Sequence, residues 1–148
     1  MMKLFAIFLS FIISFLQMLG ISGSFTPTEE HYTDYEGVYI TIESINDADG
    51  GKVIDAVWHN ETDKTICFGL GYTIEYLNGD GWESVQLTDF AIPELACILE
   101  GGRSGTQSYI TKYFNLLRPG TYRIMTEFYV QESDIGAQST YALFDVKY

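Results

Sequence analysis

The strongest restriction on this chain is the period of its side chains. Beyond residue 37, apolar and polar residues alternate one by one in segment after segment. That period sends alternate side chains to opposite faces of an extended strand; a helix repeats at 3.6. In 37–45, Val38, Ile40 and Ile42 share one face and Tyr39, Thr41 and Glu43 the other. In 52–59, Ile54, Ala56 and Trp58 alternate with Asp55 and Val57. In 65–77, Ile66, Phe68, Leu70, Tyr72, Ile74 and Tyr76 keep one parity. The run 82–87 follows Asn78-Gly79-Asp80-Gly81, a strong hairpin signal because glycine accepts positive φ. Segment 108–114 is a further strand candidate. In 122–130, Tyr122, Ile124, Thr126, Phe128 and Val130 align, and Ala142, Phe144 and Val146 form the inner face of a last strand.

These segments predict about seven antiparallel strands in one small all-β domain. No helical spacing extends over ten residues after the first two dozen. Two packed sheets of the immunoglobulin type satisfy that count, with a small barrel as the alternative. Aromatic residues are 16 % of the chain, which suits pleated, half-buried surfaces and excludes ordinary disorder.

Residues 1–24 are of a different kind. Lys3 precedes an apolar stretch from Leu4 to about Leu19, and Ser22 and Ser24 follow. This is the layout of a secretory signal peptide, with an uncleaved N-terminal membrane anchor as the competing reading. Residues 25–36 carry Pro27, Glu29, Glu30, Asp34 and Glu36 and read as a polar spacer. The domain is then expected over 37–148, on the outer side of a membrane.

Several pieces, in order, resemble the bacterial immunoglobulin-like domain of Gram-positive secreted and membrane-attached proteins. Asn60-Glu61-Thr62 follows a strand. Phe68-Gly69 leads to Tyr72, Ile74 and Glu75, then to Asp80-Gly81-Trp82. Leu117, Pro119-Gly120 and Tyr122-Arg123-Ile124 come next, and Ala142, Phe144 and Val146 close the pattern. The resemblance covers 38–148. It implies a β-sandwich, an extracytoplasmic place and no catalytic residues, and it carries no functional site to transfer. Cys67 and Cys97 are not part of its pattern. The Pro119–Tyr122 stretch has its own physical reading. Pro and Gly turn the chain between sheets, and Tyr122 is placed to bond back across the corner.

Charge narrows the partners. Twenty acidic residues against eight basic give a net charge of −12. That argues against nucleic acid and anionic lipid surfaces. Membrane contact is expected only through 1–24, if the leader is retained. The motif spacings of hydrolases, zinc proteases and phosphate loops are missing, and 101–105 is Gly-rich without the required Lys. No enzyme activity and no cofactor are expected. His31 and His59 lack further ligands at metal spacing and read as surface or turn residues. Asn46-Asp47-Ala48-Asp49-Gly50-Gly51 has the look of a calcium loop without its closing acid, and reads as a hairpin. Asn60-Glu61-Thr62 is formally a glycosylation sequon, but Asn60 reads as a turn former.

Two features remain as candidate sites. In an exported protein Cys67 and Cys97 either form a disulfide or stay as two buried thiols. A bridge would close a loop of about 30 residues and stabilise by about 3–4 kcal/mol. Tyr129 and Tyr141 fall on the outward parity of the last two strands and make a candidate binding face. The chain is therefore expected to be an exported, non-catalytic module, structural or protein-binding at the cell surface. The alternative is a carbohydrate- or cell-wall-binding module using the outward aromatics, with a cell-envelope polysaccharide as partner.

Overall fold

The computed structural model describes residues 11, 12, 15, 23–48, 51–85, 95–111 and 118–148. Among these, ten strands follow one another: β1 (Ser24–Thr33), β2 (Val38–Ala48), β3 (Gly51–Asn60), β4 (Ile66–Phe68), β5 (Thr73–Asn78), β6 (Gly81–Ser84), β7 (Cys97–Leu99), β8 (Ser104–Ile110), β9 (Gly120–Val130) and β10 (Gln138–Lys147). One sheet runs β1-β10-β9-β4-β7, with β5 also on β9 and β6 on β5; the other runs β2-β3-β8. Every pairing is antiparallel. The all-β, immunoglobulin-like sandwich read from the alternation is the observed architecture.

The core lies between the inner faces of the two sheets, filled by the residues whose parity predicted it. Ile54, Ala56 and Trp58 of β3, Ile124 and Phe128 of β9 and Phe144 of β10 are all buried. Trp58 stacks on Phe68 at 4.2 Å and meets Phe128 edge-on at 5.9 Å. Its indole N–H donates to the Tyr109 hydroxyl at 3.3 Å, so the largest core side chain hides no unpaired donor. Buried Thr140 links the layers: its hydroxyl accepts from the Ile40 N–H and donates to the Tyr32 carbonyl, both at 3.1 Å.

Three expectations need correction. Residues 25–36 are not a spacer, because most of them lie in β1, which pairs along β10 from Ser24↔Lys147 to Thr33↔Thr140. Phe25 lies against the core and stacks on Phe144 at 6.1 Å. A register shift between Pro27 and His31 interrupts the alternation, so the period alone does not show this strand. The run 65–77 is not one strand but two, β4 and β5, separated at Gly69–Tyr72. Of the candidate at 108–114, residues 108–110 lie in β8, which starts earlier at Ser104, and residues 112–114 lie outside the described residues; β7 adds a short strand that no alternation marked.

Most of the apolar leader lies outside the described residues; Phe11, Ile12 and Phe15 are helical and exposed. Among the described residues, no helix is long and apolar enough to cross a membrane.

Candidate recognition surface

The break between β4 and β5 shapes the outer face of the larger sheet. Phe68 pairs with Phe128 and Thr73 with Met125, so four residues of this segment face two of β9. The surplus leaves the ladder over Gly69–Tyr72, where pairing with β9 stops. Buried Thr126 holds this segment by donating its hydroxyl to the Gly71 carbonyl at 2.9 Å. A hollow of about 410 Å³ opens there, lined by Gly69, Gly71, Thr73, Met125, Glu127 and Tyr129 among others.

Beside the hollow runs an apolar row. Cys67 of β4 pairs with Tyr129 of β9 on one side and with Ile98 of β7 on the other. Directly opposed residues share a face, and the neighbours Ile66 and Phe68 point into the core, so all three face outward. Tyr129 is 55 % exposed and Ile98 65 %. Leu95, 58 % exposed, continues the patch, its carbonyl close to Gly69. Three large exposed apolar side chains gathered at one end of a sheet are more than the scattered hydrophobes of an ordinary surface.

The same register sets the direction of each cysteine. Cys67 faces outward, whereas Cys97 pairs with Phe68 and packs against the core. Both thiols are free. A bridge would need β7 to slip by one residue, which would turn Leu99 out of the core and Ile98 into it.

The two tyrosines of the expected face are also apart. Tyr141 pairs with Met125, four residues along β9 from Tyr129. The Arg123 guanidinium lies 4.3 Å from the Tyr141 ring and 4.2 Å from that of Trp82. Arg123 Nε and Nη2 each donate to the Glu75 carboxylate at 3.2 Å. Tyr141 belongs to this closed stack, while Tyr129 borders the hollow.

Elsewhere, residues singled out in the sequence take structural places. His31 and His59 sandwich the Tyr39 ring at 4.5 and 4.7 Å. Tyr39 donates to Glu61 at 2.8 Å, and this bond raises its pKa. Burial lowers that of His59. Among the described residues, no group of three or more His, Cys, Asp or Glu is arranged to hold a metal. Asn46, Asp47 and Ala48 pair with Val53, Lys52 and Gly51 between β2 and β3, with Asp47 ion-paired to Lys52; Asp49 and Gly50 lie outside the described residues.

Asn60 is 1 % exposed. Its amide nitrogen donates to the carbonyls of Lys64 (2.8 Å) and Leu99 (3.1 Å). Its amide oxygen accepts from the Thr62 hydroxyl at 2.6 Å and the Thr62 N–H at 3.2 Å. An amide so enclosed cannot carry a glycan. The Tyr122 hydroxyl donates to the Arg118 carbonyl at 2.8 Å, the corner bond expected from the sequence. Burial pushes the Tyr122 pKa up to about 12.

A protein-family model described as bacterial Ig-like domain matches residues 34–140. Comparison with curated proteins gives no match.

Proposed function

The chain belongs to the bacterial Ig-like domain family, and we propose that it is an exported protein-binding module of the cell surface. Domains of this family are non-catalytic, which leaves recognition or scaffolding as the work of the fold. The observation that carries the reading is the outward row Tyr129–Cys67–Ile98, with Leu95 and the adjoining hollow. Aromatic and aliphatic anchors beside a depression are what a protein contact buries at its centre. A net charge of −12 favours a partner of basic chemistry, drawn in by long-range attraction. Export rests on the composition of residues 1–24.

The test places a photo-crosslinking amino acid at Ile98, and separately at exposed Asp47, in cells producing the full chain. A discrete protein adduct from position 98 and none from 47, in the extracytoplasmic fraction, is the expected result. Equal labelling from both positions, or a chain confined to the cytoplasm, overturns the reading.

A carbohydrate reading keeps one specific support. The exposed Tyr129 ring borders a hollow that is also lined by exposed Thr73 and Glu127, a hydroxyl and a carboxylate. Tyr129→Ala should abolish retention on cell-wall polysaccharide if the hollow takes a sugar. Unchanged retention removes that reading. Tyr141 no longer serves in it, because Arg123 covers its ring.

A further inference from the structure

Strand β8 is the one edge among the described residues without a protective device. Edge strands expose unpaired N–H and C=O groups, and proteins blunt them with charge, proline, bulges, shortness or cover. Strand β1 has Pro27, Glu29, Glu30 and a register shift. Strands β6 and β7 have four and three residues. The edge of β2 is met by Thr33, which donates to the Val38 carbonyl, and by Thr140, which accepts from Ile40. Strand β8 has seven residues, Ser-Gly-Thr-Gln-Ser-Tyr-Ile, with no charge and no proline, and pairs with β3 without a register shift.

Its free groups can be assigned. The Asn60 N–H donates to the Arg103 carbonyl at 3.0 Å, and the Thr111 N–H to the Lys52 carbonyl at 2.8 Å. These bonds bracket the β3–β8 ladder, in which bonded and non-bonded pairs alternate. Counted from either end, Gly105, Gln107 and Tyr109 turn their backbone groups to β3. Ser104, Thr106, Ser108 and Ile110 turn theirs to the open edge. Side chains already serve two of those edge carbonyls: Gln107 Nε2 donates to Ser108 at 3.2 Å, and the Tyr72 hydroxyl donates to Ile110. Among the described residues, the edge-facing groups of Ser104 and Thr106, the Ser108 N–H and the second lone pair of the Ser108 carbonyl are left for another strand.

We propose that this edge is occupied by β8 of a second copy, antiparallel about a two-fold axis through Thr106. Thr106 then forms a bonded pair with its own counterpart, and Ser104 with Ser108 of the second copy. Every free backbone group from Ser104 to Ser108 is satisfied, and the smaller sheets join as one six-stranded sheet. The side chains suit this register. Thr–Thr and Ser–Ser pairs across strands are favourable, and no like charges oppose one another. On the inner side Gln107 meets Gly105, beside which, among the described residues, only Leu99 Cδ1 comes within 4 Å of an added Cβ. Two bodies of charge −12 repel, so the pairing strengthens as salt screens them, whereas a basic partner would be released. The proposal is independent of the Tyr129–Cys67–Ile98 row, which lies on the other sheet.

Sedimentation velocity of the full-length chain over a concentration series, at low and high salt, tests it. The expected result is a reversible shift from monomer to twice its mass, strengthened by salt. Thr106→Glu puts two carboxylates opposite each other and should weaken the shift at least tenfold. Thr106→Pro removes an N–H that β3 does not use, and should do the same. A wild-type chain that stays monomeric to about 1 mM at high salt, a dimer weakened by salt, or a dimer unchanged by Thr106→Glu overturns the proposal.

Discussion

Cys67 and Cys97 sit on paired strands of one sheet, yet their side chains leave it on opposite faces, one residue out of register. Proximity along the strands therefore does not bring the sulfurs together. The intact mass under non-reducing conditions should equal the reduced mass. A deficit of about 2 Da, the signature of a bridge, would require the slipped register instead. Native alkylation should modify Cys67 well before core-packed Cys97, which should react on unfolding.

Asn60 ties the turn 61–64 to the end of β7 through four hydrogen bonds made by one buried amide. Asn60→Ala leaves the Leu99 and Lys64 carbonyls without that partner. Denaturant unfolding should show a loss of about 2–4 kcal/mol. Asn60→Asp should cost at least as much, because a buried carboxylate would face those carbonyls with no proton to donate. A loss under half a kcal/mol, on the order of a surface substitution, would mean that water replaces the amide.

Tyr122 makes the domain sensitive to alkali. Burial holds its folded pKa at about 12, against the ordinary tyrosine value of 10.0. Above pH 10.0 the unfolded chain gives up this proton while the folded chain keeps it. Stability is complete below that point and falls as pH rises towards about 12. Denaturation midpoints at pH 8, 10 and 11 (about four, two and one units below the raised value) should hold between the first two and decline to the third. Tyr122→Phe should flatten part of the decline while costing about 1 kcal/mol at neutral pH for the lost Arg118 bond.

His59 acts in the opposite direction. Its folded pKa lies below 6.5 because burial disfavours the imidazolium. On acidification the unfolded chain takes up the proton first, so stability present above pH 6.5 is lost as pH falls through that value and below. His59→Gln should reduce this acid-side slope. An unchanged slope would assign it to other groups.

Arg123 should behave as a structural tie. It joins Glu75 of β5 and the rings of Trp82 of β6 and Tyr141 of β10. Arg123→Ala should cost about 2–3 kcal/mol in unfolding experiments, since it leaves a half-buried carboxylate unpaired. Binding at the Tyr129 hollow should be unaffected. Loss of binding without loss of stability would move the recognition surface to this stack.

The strands with unbroken alternation were legible in the sequence because parity and burial coincide. Ile54, Ala56 and Trp58 are inward as read, and the Tyr122 corner bond forms as expected. Strand β1 escaped because its acidic residues face solvent and its register shifts after Pro27. The break at Gly69–Tyr72 escaped for the converse reason. Phe68, Tyr72 and Ile74 are all buried, so parity runs on where strand pairing stops. Only Gly69 and Gly71 marked the place. The outward parity of Tyr129 and Tyr141 was correct, but parity holds no information on distance along a strand. That is why one of them lines the hollow and the other lies under Arg123. Strand β7, with three residues, is too short to show a period, and without it the Cys67–Ile98 pairing could not be foreseen.

The pairing of Ser24 with Lys147 has a mechanical consequence. Gly23 lies against the Tyr148 ring, so the first and last described residues of the sandwich leave from the same pole. Anything attached ahead of β1 and anything attached after β10 would pull on adjacent ends of one antiparallel ladder. Such a load opens the bonds one after another, like a zip, instead of shearing them together. The domain is therefore poorly suited to serve as a tension-bearing link in a string. Held at that pole, it presents the opposite one, with the turns at 34–37 and 131–137, farthest from the attachment.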